Sequence, residues 1–153
     1  MENVFSGIRT ATVDDIPWII GELKDFSKFI ESNASKFPSE EYATKTLKGI
    51  IENHVFLIAC ENNLRVGFIA GLTHQNLMNP DVTLLTELMW WVIPSKRHTG
   101  VGTSLLETFV NVGKVLNAVS YVTVSLENNS PMKDNILTGL GFRPAERTFV
   151  MEV

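Results

Sequence analysis

The residues whose types and spacing point most directly to chemistry are Arg97-x-x-Gly100-x-Gly102. They follow a β-branched and aromatic run that ends at Pro94, and an amphipathic helix opens from them. Glycines at a strand-to-helix turn leave backbone N–H groups uncovered and let a ligand approach the main chain closely. The helix N-terminus adds partial positive charge and Arg97 a full one. The segment is therefore a candidate pyrophosphate cradle that calls for neither a metal nor a Walker lysine. The alternative is a glycine-rich helix entry with no ligand. Chance supplies the pattern in roughly 4% of chains this long, and the flanking strand and helix lower that figure. The dinucleotide fingerprint does not match, because the residue three after Gly102 is Leu105.

The second chemical candidate is Glu87, a carboxylate in an otherwise apolar strand, ten residues before Arg97. It reads either as a general base or as an acid at the strand's solvated start. Strict alternation would put Met89 and Trp91 on its face, and apolar neighbours raise a carboxylate's pKa. His74 in a loop and His98 inside the glycine segment are weaker candidates for the same role. Tyr121 and Ser125 could donate a proton, although strand residues of this kind are more often structural. Trp90 and Trp91 are adjacent and so point to opposite faces, one into the core and the other toward a cleft. Trp18 reads as a helix packing residue. Cys60, within Val55-Phe56-Leu57-Ile58-Ala59-Cys60, reads as a small buried hydrophobe rather than a nucleophile.

The elements that must position these groups follow from periodicity. Ser6–Thr12 is a short strand. Asp14 or Asp15 caps a helix with Pro17 in its first turn, and Ile16, Ile19, Ile20, Leu23 and Phe26 form its apolar face. A second helix runs from Ser39, its cap, to about Asn53. His54–Cys60 and Leu64–Leu72 form a hairpin about Glu61-Asn62-Asn63. Val82–Ile93 is a long strand. Gly100 starts the third helix, with Leu105, Leu106, Phe109, Gly113 and Leu116 on one stripe. Tyr121–Leu126 is a strand, Ser130-Pro131 starts a short helix ending at Gly139–Gly141, and Arg143–Val153 is a last strand. The order β-α-α-β-β-β-α-β-α-β predicts a mixed sheet with inserted helices, α+β or α/β.

Composition narrows the function classes. At 153 residues the chain predicts one domain, spanning 1–153. Thirteen basic against 17 acidic residues, a net charge of -4, argue against nucleic acid or an anionic membrane as partner. One cysteine leaves no internal disulfide framework and no cysteine cage for a metal. The apolar runs reach about six residues against the roughly 20 of a membrane helix. Met1-Glu2-Asn3-Val4 lacks the features of a signal peptide, so a cytoplasmic setting is expected.

Pro94, Arg97, Gly100 and Gly102 resemble the pattern of the GNAT superfamily of N-acetyltransferases: a strand, a proline, then Arg/Gln-x-x-Gly-x-Gly/Ala opening a helix. The likeness runs along the whole chain. Arg9–Pro17 resembles the family's first strand and helix entry, Leu64–Gly71 its third strand, and Leu140-Gly141-Phe142 the Gly-Phe that ends its fourth helix. The resemblance implies a GNAT fold, a mixed sheet of six to seven strands with about four helices. It implies acetyl-CoA as co-substrate, its pyrophosphate on the amides of Arg97 to Thr103. Its pantetheine arm would pair with the backbone near Trp91 and Val92, where the fourth and fifth strands splay. It implies direct attack by a primary amine, small or peptidyl, with Glu87 where many members carry their base. The alternative is a catalytically weak GNAT-fold module that binds acyl-CoA or a protein. Two departures stand out. The family's tyrosine acid falls on Leu137, and an asparagine common at the start of the fourth helix falls on Ser130, with Asn128 and Asn129 just upstream; Asn129 is the cofactor-binding candidate there. An apolar last strand could pair across a homodimer.

Overall fold

The computed structural model describes residues 6–28, 39–123, 131–149 and 151. Five strands, β1 (Gly7–Thr10), β2 (Val55–Glu61), β3 (Leu64–Gln75), β4 (Thr83–Val92) and β5 (Ala118–Tyr121), form one sheet in the order β1-β2-β3-β4-β5. The first three pairings are antiparallel and β4–β5 is parallel. Helices α1 (Ile16–Ser27) and α2 (Glu40–Asn53) lie between β1 and β2. Helix α3 (Val101–Val115) connects β4 to β5, and α4 (Pro131–Gly139) follows. A parallel pair needs such a crossover, whereas β2 and β3 need only the turn at Asn62 and Asn63, both at positive φ.

The sheet separates two apolar layers. On one side Ile16, Ile19 and Ile20 of α1 and Ala43, Leu47 and Ile50 of α2 pack on Phe56, Phe68 and Trp91. On the other, Leu105, Leu106 and Phe109 of α3 pack on Leu57, Ile69 and Leu85, with Leu137 of α4 and Leu140 just after it against them. Helix α2 starts where expected: the Ser39 hydroxyl oxygen accepts from the Tyr42 N–H at 3.2 Å. Trp18 packs edge-on against Phe68, with ring centroids 6.0 Å apart, and Cys60 is buried, both as expected.

Helix α1 opens differently. The Asp15 carboxylate does not cap it. Instead it accepts from the Thr12 N–H at 2.8 Å, from both terminal nitrogens of Arg9 at 2.8 Å and from Arg65 Nε at 2.6 Å. One buried acid thereby ties β1, β3 and the start of α1 together.

The sheet has five strands among the described residues, not six to seven, and the element order departs from expectation at its end. Strand β5 is Ala118–Tyr121 rather than Tyr121–Leu126, and residues 124–126 lie outside the described set. Residues 143–149 form no strand. All seven side chains are exposed, so the segment has no face to bury, and Pro144 cannot donate to a ladder.

Candidate active site

Strand β4 positions both chemical candidates. Its register against β3 slips between Ala70 and Gly71: Gly71 faces Glu87 and Ala70 faces Met89, which leaves Leu88 as an extra residue. This bulge breaks the alternation. Residues facing each other across an antiparallel ladder share a side of the sheet. Met89 and Trp91 stand on the α1/α2 side, while Leu85, Trp90 and Val92 belong to the α3 side. Glu87 is in step with Leu85, so the expectation that it shares a face with Met89 and Trp91 is corrected. Opposite Glu87 the backbone comes very close to α3. A Cβ on Gly71 would lie 2.7 Å from Phe109 Cζ and 2.9 Å from the Thr86 carbonyl oxygen.

The β4–β5 ladder runs from Thr83↔Ala118 to Thr86↔Tyr121 and then ends among the described residues, while β4 continues to Val92. The next ladder donor, the Thr123 N–H, goes to the Glu87 carboxylate at 3.2 Å. A side chain thus takes the place of backbone at the point where the two strands part. Glu87 is only 8% exposed. Burial pushes its carboxyl up to about 7 against a smaller opposing effect of the Thr123 hydrogen bond. Among the described residues no cation pairs with it. Thr123 was not legible as a partner, because its role depends on where the ladder stops.

The glycine segment sits at the other end of β4. Pro94–Lys96 make one 3-10 turn, His98 takes a positive φ of 62° and Gly100 one of 92°. Gly100 precedes α3 and its carbonyl accepts from the Ser104 N–H at 3.0 Å. The left-handed conformation at Gly100 explains why glycine stands there. A Cβ on Gly100 would meet nothing within 4 Å, and one on Gly102 would make ordinary contact with Val92 and Trp90. Space above Gly100 is therefore open, while Gly102 faces Val92 and Trp90. The amides of His98, Thr99, Gly100, Val101, Gly102 and Thr103 donate to no acceptor among the described residues, as the first N–H groups of a helix do in general. The Thr99 hydroxyl donates to the Lys96 carbonyl at 2.5 Å, closing the turn.

Contacts among the described residues hold the Arg97 side chain. Its Nε donates to the Val92 carbonyl at 3.0 Å, and its guanidinium carbon lies 4.6 Å from the centre of the Trp91 ring. Of the tryptophan pair, Trp91 is the core residue, 5% exposed, and its indole N–H donates to Glu22 of α1 at 2.9 Å. Trp90 lies against Gly102. His74 is exposed and hydrogen-bonded to the Thr86 hydroxyl at 3.1 Å and to the Gln75 carbonyl at 3.3 Å. Leu137 packs into the α3 layer. Asn128, Asn129, Ser125 and Ser130 lie outside the described residues.

A family model described as the acetyltransferase (GNAT) family matches residues 23–142. The chain belongs to the GNAT acetyltransferase family. Solved structures agree with the GNAT fold. One is described as a predicted acetyltransferase with acetyl-CoA from Clostridium acetobutylicum; its TM-score is 0.71 at 19% identity, over 97% of this chain and 96% of that chain. Another is an aminoglycoside acetyltransferase from an uncultured soil metagenomic sample, with TM-score 0.73 at 17% identity over 97% and 99%. A third is an acetyltransferase from Trypanosoma brucei, with TM-score 0.73 at 15% identity over 97% and 100%. At these identities the likeness is one of fold. A comparison with curated proteins finds no match. No helix among the described residues is long and apolar enough to cross a membrane.

Proposed function

We propose that this GNAT protein is an acetyl-CoA-dependent N-acetyltransferase acting on a primary amine by direct attack, with Glu87 as general base. The observation that carries the reading is a buried carboxyl near pKa 7 where β4 and β5 part, on the same strand that leads into an open glycine cradle. Acetyl-CoA supplies an activated acetyl thioester. Arg97, His98, Thr99, Gly100, Val101, Gly102 and Thr103 would hold its pyrophosphate through backbone amides and the Arg97 charge. The edge of β4 at Trp91 and Val92 would take its extended arm, through backbone only, since the Trp91 indole points to the α1/α2 layer.

Glu87 takes the proton that the attacking amine must lose. Moving a proton from an amine of pKa about 10.4 to a carboxylate near 7 costs about 4–5 kcal/mol; to a carboxylate of ordinary pKa it would cost about 8 kcal/mol. Burial of Glu87 therefore removes about 3 kcal/mol from that step. Release of the thiol as thiolate at pH 7 costs roughly 2 kcal/mol if its pKa is near 8.5, which the site can carry without a dedicated acid.

A second reading, a GNAT-fold module that binds acyl-CoA or a protein without turnover, is favoured by one observation. Leu137 stands where the family's tyrosine acid is expected and packs into the core. Thiol release from acetyl-CoA across an amine panel separates the two. The enzyme reading expects release with at least one amine and loss of CoA binding in Gly100→Val, whose side chain would fill the cradle and strain a positive φ. Tight CoA binding with no amine giving release above the Glu87→Gln background would leave the module reading. Unchanged calorimetric affinity in Gly100→Val would sink the cradle.

A further inference from the structure

We propose that Trp91 and Glu22 are positioning residues for Arg97, forming a relay from α1 along one side of the sheet to the phosphate loop. This inference rests on the reading of the loop as the cofactor cradle. Arg97 follows a 3-10 turn and precedes two residues of left-handed backbone, His98 and Gly100, so the main chain alone does not fix where its long side chain goes. Contacts within the described residues hold it. The Val92 carbonyl takes its Nε–H, and the face of the Trp91 indole takes its charge at 4.6 Å. A guanidinium over an indole face is held by the ring's quadrupole, and the attraction grows as the pair is desolvated.

The indole is itself locked. Its N–H donates to Glu22 at 2.9 Å, its ring edge meets Phe26 at a centroid distance of 5.6 Å, and it is almost wholly buried. Glu22 and Phe26 are four apart on α1 and so lie on one helix face. A carboxylate accepting the indole N–H also polarises the ring, making its face more negative toward the cation. The order of contact is thus Glu22, Trp91, Arg97. Arg97 arrives at the ligand with its rotamers already restricted, which lowers the entropy lost on binding.

The test is a double-mutant cycle read by calorimetry with two probes: CoA, and pantetheine, which keeps the thiol arm and lacks the pyrophosphate. Trp91→Leu is expected to weaken CoA about 3- to 20-fold. Trp91→Phe, which restores a ring face, is expected to recover most of that loss, and pantetheine affinity should not change. In an Arg97→Ala background, Trp91→Leu should cost nothing further. Glu22→Ala, which keeps the ring and removes its anchor, is expected to weaken CoA about 2-fold, again only when Arg97 is present; it carries the cycle if Trp91→Leu does not fold. Additive losses, equal losses with pantetheine, or unchanged CoA affinity in the folded variants would overturn the relay. A wild-type protein that binds no CoA would overturn the cradle reading itself, and this inference with it.

Discussion

Asp15 and Glu87 are the two buried carboxylates among the described residues, and their chemistry differs completely. Asp15 is 1% exposed; burial alone would raise its pKa, but the Arg9 pair, the Thr12 N–H and Arg65 overcome that and hold it well below the usual carboxylate range. Glu87 is 8% exposed and has the Thr123 N–H in place of a cation, so burial prevails and its carboxyl rises to about 7. Burial is common to both. The counter-charge decides the outcome: with two guanidiniums the acid becomes a permanent anion that ties strands together, and with a single amide it becomes a group that can take up and release a proton near neutrality.

Four experiments would break or sharpen that contrast. The largest effect is expected for Glu87→Gln, which should lower kcat/KM about 10²- to 10⁴-fold while leaving CoA affinity in place, measured by thiol release and calorimetry. An unchanged rate would place Glu87 outside the chemistry. Asp15→Asn should instead cost about 2–3 kcal/mol of stability, because the hydrogen bonds it weakens join charged groups; urea unfolding at pH 7 reads it. The Asp15 contribution is present above the ordinary value of 3.8 and is lost as pH falls further.

The third expectation has the opposite sign. With its pKa raised in the folded state, Glu87 binds a proton there between about 4.5 and 7 that the unfolded chain releases. Stability tied to the neutral acid is full below 4.5 and is lost as pH rises through 7. Glu87→Gln should therefore match wild type near pH 4.5 and exceed it above pH 7 by about 3 kcal/mol. Parallel stability curves would mean that the carboxylate is not desolvated. The smallest effect is expected for Leu88→Lys, which brings a cation beside Glu87 at an exposed position. It should lower the apparent pKa of the pH–rate profile by about half a unit; no movement would show that the profile belongs to another group.

Local signals made one end of the site legible. The glycine segment, its proline and the following helix are contiguous, so residue type and spacing sufficed to place a glycine turn with uncovered amides at the start of α3. Glu87 stood out as an acid in an apolar run. What could not be read depends on partners distant in sequence. Arg65 reaches Asp15 across 50 residues, and Glu22 reaches Trp91 across 69. The face on which Glu87 lies depends on a pairing slip against β3 that leaves no mark in β4's own alternation. The strand expected over Arg143–Val153 rested on apolar and β-branched residues, but those of 143–149 are exposed and find no layer to join.

The extra residue at Leu88 makes β4 two half-strands of opposite phase. Thr83–Glu87 present one parity to the α3 layer and Met89–Val92 the other, so each half has its own binary pattern. Substitutions that tune the half carrying Glu87 are thereby uncoupled from the half that carries Trp91 and leads to the loop. Deleting Leu88 would join the phases: the run from Thr83 to Glu87 would turn over as a block, bringing Leu85 and Glu87 to the α1/α2 side and Leu84 and Thr86 beneath α3.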